Sequence, residues 1–348
     1  MRIVGELVGN YIIISKSRDV GRLYNKSRFG KTIKDNKLQL NLLEGVFLLD
    51  EDKITIFQNK KKLGFRELVT LAAQQIPRFE IKYLVFRDLR KRGHAVSLYK
   101  EHKSIDFMIP DKDTGSCFVV SFSERDIVTI EDIRKLIESA EKHDSNLWFA
   151  IVDEEGDLTY YDVRNVELKG YVKKQVFKKG DGFVFENRVV IFDKILSEQL
   201  HKKEFFGKPL GDGLQLSLIE ALYLVKTGVL SLKLVDTGTK LSLKAFIDFV
   251  ERYQPDIKSR LLVFEDLKNR GLIVKTGFKF GAHFRAYTKQ PDETHAEYLI
   301  HVVDKSFTGS WADVSRAVRL AHSVNKEIVF ARTDKNDIDY VQLGRLRP

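Results

Sequence analysis

Cysteine is nearly missing from this chain. Cys117 is alone among 348 residues, so no intrachain disulfide can form, a disulfide-stapled scaffold is excluded and thiolate zinc sites go with it. That usage fits a reducing cytoplasm. Long apolar runs are missing too: none approaches the roughly 18 residues that a membrane span requires. The N-terminal stretch MRIVGELVGNYIIISKSRD is apolar, but Glu6 and Asn10 interrupt it and no small-residue cleavage site follows. It reads as a pair of strands rather than a signal peptide. These absences predict a soluble cytoplasmic protein with no membrane contact.

What is present is a core and a charged surface. Hydrophobic residues make up 43% and charged residues 31%, a composition that folds rather than one that stays disordered. The length allows two or three domains. The net charge of +10 calls for an anionic partner, and for a soluble basic chain nucleic acid is the commonest.

The strongest signal is internal repetition. FGKTIKDNKLQLNLLEGVFLL from Phe29 recurs as FGKPLGDGLQLSLIEALYLV from Phe206, and KYLVFRDLRKRGHAV from Lys82 recurs as RLLVFEDLKNRGLIV from Arg260. LWFAIVDEEGDLTYYDV from Leu147 recurs as IVFARTDKNDIDYVQL from Ile328. Order is kept at a spacing of about 177 to 181 residues, the mark of a tandem duplication. Asn41 with Glu44, and Ser217 with Glu220, form capping-box patterns ahead of apolar helices. Leu243, Phe246, Ile247 and Val250 have the spacing of an amphipathic helix. A third helix in each copy ends at Gly93 or Gly271, where glycine suits a left-handed C′ position. The expected fold is α/β (α+β), each half an N-terminal α/β lobe followed by a second α/β lobe with a mixed sheet. The expected boundaries are 1–80 and 81–165 for the first half, a basic glycine-containing connection at 166–187, then 188–257 and 258–348.

The copies differ between Phe278 and Ala331. Tyr287, His295 and Lys326 stand there at joints between elements, whereas the first copy has Gly115 opposite His295, Ser145 or Asn146 opposite Lys326, and IDFMIP where Tyr287 falls. Each residue alone has an ordinary explanation: a half-buried packing tyrosine, a solvated or structural histidine, a lysine at a helix C-terminus. Their joint presence in one copy and joint absence from the other argue for one active half and one architectural half. His283, His301 and His322 are weaker candidates with core or surface roles.

The segments RGLIVKTGFKFGAHFRAY, HAEYLIHVV and RAVRLAHSVNKE resemble the catalytic half of archaeal tRNA-splicing endonucleases of the homodimeric, two-repeat class. The duplication extends that resemblance over nearly the whole chain. The loop TKQPDET between Tyr287 and His295 is the one departure. The resemblance implies a restriction-endonuclease-like second lobe in each half, inactive at 81–165 and catalytic at 258–348. It implies excision of introns from precursor tRNA at bulge–helix–bulge motifs by transesterification, with the ribose 2′-hydroxyl as nucleophile and no cofactor or metal. Tyr287 is then the general base, His295 the general acid and Lys326 the cation that offsets charge on the phosphorane. An imidazole ordinarily titrates at about 6.5, which suits the acid role. A phenol ordinarily titrates at about 10, so Tyr287 either has neighbouring cations that lower it or merely orients the 2′-hydroxyl.

Val314, Ala317, Val318 and Ala321 make the buried stripe of the helix after Ser310, and Arg316, Arg319, Ser323 and Lys326 share another face. That face is either solvated or turned toward RNA. The resemblance matches Arg319 and Arg345 to two arginines that sandwich a flipped base. The acidic run Asp153, Glu154, Glu155 and Asp157 has the composition of a solvated turn. The resemblance implies that it docks into a basic groove on a partner's catalytic half and, with pairing of C-terminal strands, builds a homodimer. Three alternatives stand beside this reading: a non-catalytic binder of structured RNA, a metal-dependent DNA nuclease, and a purely structural subunit of a larger complex. The second needs clustered carboxylates. Asp292, Glu293, Glu297, Asp304, Asp313 and Glu327 lie in the segment without forming such a signature.

Overall fold

The computed structural model describes residues 2–111, 115–291, 295–335 and 337–348. Its two halves repeat one plan. In the first, Ile3–Val8 alternates strictly, with Ile3, Gly5 and Leu7 inward and Val4, Glu6 and Val8 outward, the period that half-buries a strand. It pairs antiparallel with Tyr11–Ile14 and parallel with Ile54–Gln58, inside a six-stranded sheet. The expected N-terminal strand pair is therefore present. The second half builds the same six-stranded sheet from Gly180–Val184, which runs parallel to Leu230–Leu234 and antiparallel to Val189–Ile191. Gly180–Val184 is thus a strand of this sheet, and Gly182 packs between Val189 and Leu232 where a side chain would collide.

The helices Leu42–Asp50 and Leu218–Lys226 are buried almost all round. Both capping boxes form: Asn41 N donates to Glu44 Oε2 at 2.9 Å and Ser217 N to Glu220 Oε2 at 2.9 Å. The second carboxylate oxygen of each takes a backbone N–H from the preceding loop, Gly30 at 2.6 Å and Gly207 at 2.9 Å. In the next helix of the second half Phe246 and Val250 are buried, while Leu243 and Ile247 pack against the same core. The third helices, Phe79–Lys91 and Ile257–Asn269, lead to Gly93 and Gly271 with φ of 96° and 80°, as a left-handed C′ requires. Each holds its second lobe by one triad. Asp88 accepts from Arg92 at 2.7 Å and from Tyr160 at 2.7 Å, and Asp266 accepts from Arg270 at 2.6 Å and from Tyr340 at 2.7 Å.

The second lobes do not form separate sheets. They join into one ten-stranded mixed sheet, where Leu158–Asn165 of the first half pairs antiparallel with Asp337–Leu346 of the second, from Tyr160 opposite Leu346 to Asn165 opposite Val341. The pairing of C-terminal strands expected between two chains is therefore found within one. On each side of the junction the order is regular: Asn146–Val152 lies parallel to Gly115–Ser123, and Tyr298–Asp304 parallel to Glu327–Asp334. The helices Ile130–Lys142 and Trp311–Ser323 share a core over this junction. Trp311 is fully buried, 4.8 Å from the ring of Phe122 and 5.4 Å from that of Phe149. Among the described residues no helix is long and apolar enough to cross a membrane.

Candidate active site

Register places three joints at one end of the sheet. Ala286 stands opposite Tyr298, and Tyr298 opposite Glu327. Tyr287, the residues just before Tyr298, and Lys326 therefore occupy one row at the strand ends. Tyr287 closes the strand Phe284–Tyr287 and is 7% exposed. Its ring packs with Ile273 and Ala296 and against Val172 and Phe205, and the Arg285 guanidinium lies 5.7 Å from the ring centre. His295 is exposed and directly precedes the buried Ala296.

Lys326 follows the helix Trp311–Ser323. Its N–H donates to Ala321 O at 3.0 Å after Asn325 turns left-handed at φ 52°. That would satisfy a simple helix terminus. Its amine goes elsewhere: Nζ donates to Ala296 O at 3.0 Å and lies 5.6 Å from the Phe280 ring. The structure thus brings Tyr287 and Lys326 to the peptide that follows His295.

A hydrogen-bonded frame ties the same joints. Glu297 accepts from Thr288 N at 2.9 Å and from Thr288 Oγ1 at 2.6 Å, and its carbonyl accepts from Glu327 N at 2.9 Å. Thr288 follows Tyr287, Glu297 comes two residues after His295, and Glu327 follows Lys326. In the first half Ser145, opposite Lys326, pairs its hydroxyl with that of Ser116 at 2.5 Å. The scaffold persists there without a charged group.

Arg319 is exposed on the helix, and Arg345 is exposed near the end of the last strand. Ile328 stands opposite Leu343, so Arg345 and Lys326 fall at the same end of their strands. Arg345 is opposite Tyr161 of the first half, a residue that is fully buried. Burial pushes the Tyr161 phenol up, while Ser315 and the charges of Arg319 and Arg345 pull it down. The helix stripe is as expected at Val314, Val318 and Ala321, with Trp311 added and Ala317 partly exposed.

The remaining candidates serve local structure. His283 is held neutral, its pKa lowered to about 4 by burial and by Arg260 and His301, and its Nδ1 accepts from Val302 N at 2.8 Å. His301 stacks on Phe330 at 5.7 Å, and His322 is exposed at the helix end. Glu297 is committed to Thr288, Glu327 to Gln342 at 3.0 Å, Asp304 to Ser306 N at 2.8 Å, and Asp313 to the cap formed with Ser310 at 2.7 Å. Asp292 and Glu293 lie outside the described residues. The acidic run forms the hairpin between Asn146–Val152 and Leu158–Asn165, and Asp153, Glu154, Glu155 and Asp157 are all exposed. Asp153 folds the turn by accepting from Glu155 N at 3.0 Å and Asp157 N at 2.9 Å, and Glu154 pairs with Arg125 at 2.9 Å.

Sequence reasoning missed two supports. The Thr288–Glu297 pair bridges a loop, and a single carboxylate two residues past His295 carries no signal of its own. Val172 reaches Tyr287 from the connection between halves, and no local pattern announces that contact.

Comparison with known proteins shows the family of the chain. Family models of the tRNA intron endonuclease catalytic C-terminal domain match residues 79–160 and 257–340, and those of its N-terminal domain match residues 3–69 and 181–247. A tRNA-splicing endonuclease of Methanococcoides burtonii is 34% identical over 354 residues, covering 98% of this chain and 99% of the relative. One of Methanosarcina mazei is 33% identical over 353 residues, 98% of each, and one of Halobacterium salinarum is 31% identical over 351 residues, 94% of this chain and 95% of the relative. With each domain present twice and the likeness running along the whole chain, the protein belongs to the tRNA intron endonuclease family and is an endoribonuclease of tRNA splicing.

Proposed function

We propose that the protein excises introns from precursor tRNA at bulge–helix–bulge motifs, using Tyr287, His295 and Lys326 on the 2′-hydroxyl of the nucleotide before the cut. That oxygen attacks the adjacent phosphorus while the bond from phosphorus to the 5′-oxygen breaks. The 2′-proton passes to Tyr287, or to solvent with Tyr287 orienting the hydroxyl. A protonated His295 gives its proton to the leaving 5′-oxygen. The products are a 2′,3′-cyclic phosphate and a 5′-hydroxyl, with no water consumed.

The observation that carries the reading is the bond from Lys326 Nζ to Ala296 O at 3.0 Å. An ammonium has three N–H donors. One is spent on fixing the side chain beside His295, and two remain for the phosphoryl oxygens, where a prepositioned cation offsets the charge that develops. The scheme needs neither cofactor nor metal. Arg345 falls at the same strand end as Lys326 and Arg319 is exposed on the helix before it, and planar guanidinium groups suit stacking on an unstacked base.

Assembly follows the same reading. The exposed acidic hairpin carrying Asp153, Glu154, Glu155 and Asp157 is directed to a cleft of about 670 Å³ between the lobes of the second half, where Lys226, Lys258, Lys305 and Lys335 outnumber Glu265, Asp304 and Asp334. Two reciprocal contacts would make a homodimer whose two active sites stand at a fixed separation, so RNA shape selects both cuts. A cytoplasmic location accords with the substrate. Cleavage of a bulge–helix–bulge transcript in EDTA, with the new ends identified, tests the proposal.

A further inference from the structure

The connection between the halves does not hang free. Gly170 N donates to Arg270 O at 2.9 Å, Tyr171 N to Thr288 O at 3.1 Å, Val172 N to Gly271 O at 3.0 Å and Gln175 N to Glu204 Oε1 at 3.0 Å. A Cβ on Gly170 would stand 2.1 Å from Gly271 O, so only glycine allows this approach. Glu204 is itself buried and paired with Lys268 at 2.7 Å. The segment is thus strapped to the edge of the catalytic lobe, and successive side chains of an extended backbone point opposite ways. Val172 turns in and packs against the cluster that holds Tyr287. Tyr171 turns out and is 75% exposed.

Beside Tyr171 lies a groove of about 510 Å³, lined by Val172, Lys173, Lys203, Thr288 and Lys289 among others, with no carboxylate among the described residues that line it. The three lysines are exposed, and none makes an ion pair among the described residues. A rigid exposed aromatic with unpaired cations around it is the surface that single-stranded nucleic acid uses, bases stacking on the ring and phosphates meeting the charges.

We propose that this groove is a subsite for the ribose-phosphate chain of the substrate RNA on the Tyr287 side of the cut, with Tyr171 stacking on a base and Lys173, Lys203 and Lys289 contacting phosphates. The inference rests on the reading of Tyr287, His295 and Lys326 given above. The strands that end at Tyr287, begin after His295, begin after Lys326 and carry Arg345 are consecutive in the sheet. Strands about 4.8 Å apart place Tyr287 and Arg345 on the order of 14 Å from one another. The RNA strand then runs from the groove, past the reacting phosphate, to the arginine pair, and the connection between halves forms one wall of its path.

The test measures binding of precursor tRNA by the full chain across a salt series, together with single-turnover cleavage at saturating protein. In the triple variant Lys173→Ala, Lys203→Ala, Lys289→Ala, Kd rises about tenfold and the slope of log Kd against log salt falls by about two, since each lost phosphate contact removes roughly 0.7 to 0.9. Saturated cleavage stays within about twofold of the parent. Tyr171→Ala raises Kd about fivefold or more, as loss of one stacked base does, and Tyr171→Phe restores it. An unchanged Kd and slope overturn the proposal. So does a triple variant that loses dimer mass with its salt slope intact, since the groove would then hold protein. If the parent binds and cuts while the variants match it, the subsite alone fails; if the parent binds precursor tRNA no better than random RNA, the functional reading falls and the subsite with it.

Discussion

Lys326 Nζ donates to the carbonyl oxygen of Ala296 at 3.0 Å across a sequence separation of thirty residues. That bond carries a helix-terminal lysine past the ordinary job of capping its own helix and holds it at the peptide next to His295. In the first half Ser145, opposite Lys326, meets the hydroxyl of Ser116 instead, so that position holds no charge. The asymmetry is chemical rather than architectural.

Removal of either charged candidate should therefore stop the reaction without unfolding the protein. Lys326→Ala and His295→Ala are expected to lower the single-turnover rate at least 100-fold, the usual scale for losing an electrostatic donor or a general acid. Precursor tRNA binding should stay within a few fold. Gel assays of cleavage and filter binding on the same preparations check this, and parental cutting by either variant removes that residue from its role.

Glu297 acts through others. Its carboxylate holds Thr288 while its carbonyl holds Glu327, and the loop that presents His295 lies between. Glu297→Ala should slow saturated cleavage about tenfold with little change in Kd. Glu297→Gln keeps an acceptor for Thr288 and should recover most of the rate. A rise in Kd at constant rate would assign Glu297 to RNA contact instead.

How much of this was legible in the sequence varies with distance along the chain. The capping boxes at Asn41 and Ser217, the C′ glycines 93 and 271 and the strand pair at the N-terminus are local devices, and all stand as expected. The duplication exposed where the halves differ. The junction of Leu158–Asn165 with Asp337–Leu346 within one chain has no sequence signal, because an edge strand carries no mark of which other edge will meet it. The strap from Gly170 to Gln175 has no signal in the sequence either, since its anchoring rests largely on backbone groups from distant residues. The row of Tyr287, Glu297 (two residues past His295) and Lys326 appears only through sheet register.

The acidic hairpin offers a test of assembly that keeps the turn intact. Asp153 folds the hairpin through two backbone N–H groups, and asparagine can accept the same bonds. Asp153→Asn, Glu154→Gln, Glu155→Gln and Asp157→Asn together should yield monomers by light scattering and cut bulge–helix–bulge RNA at least tenfold more slowly. Dimers that persist in this variant would remove the hairpin from the interface.

Acid sensitivity should trace partly to His283. Its folded pKa of about 4 lies below the unfolded value of about 6.5. Between those values the unfolded chain binds a proton that the folded chain refuses. Stability from this group is therefore full above pH 6.5 and is lost as pH falls toward 4, by about 2 to 3 kcal/mol. His283→Gln, which keeps an acceptor for Val302 N, should flatten that slope in urea unfolding measured at pH 7 and pH 4.5. An equal slope in parent and variant would place the acid-labile group elsewhere.

The central claim is that the protein itself, through Tyr287, His295 and Lys326, turns a 2′-hydroxyl on its neighbouring phosphate. The direct measurement is to incubate the protein with an intron-containing precursor tRNA in excess EDTA and identify the new ends. Excised intron with 2′,3′-cyclic phosphate and 5′-hydroxyl termini is the predicted result, and cleavage that waits for added magnesium or leaves 5′-phosphates would contradict it.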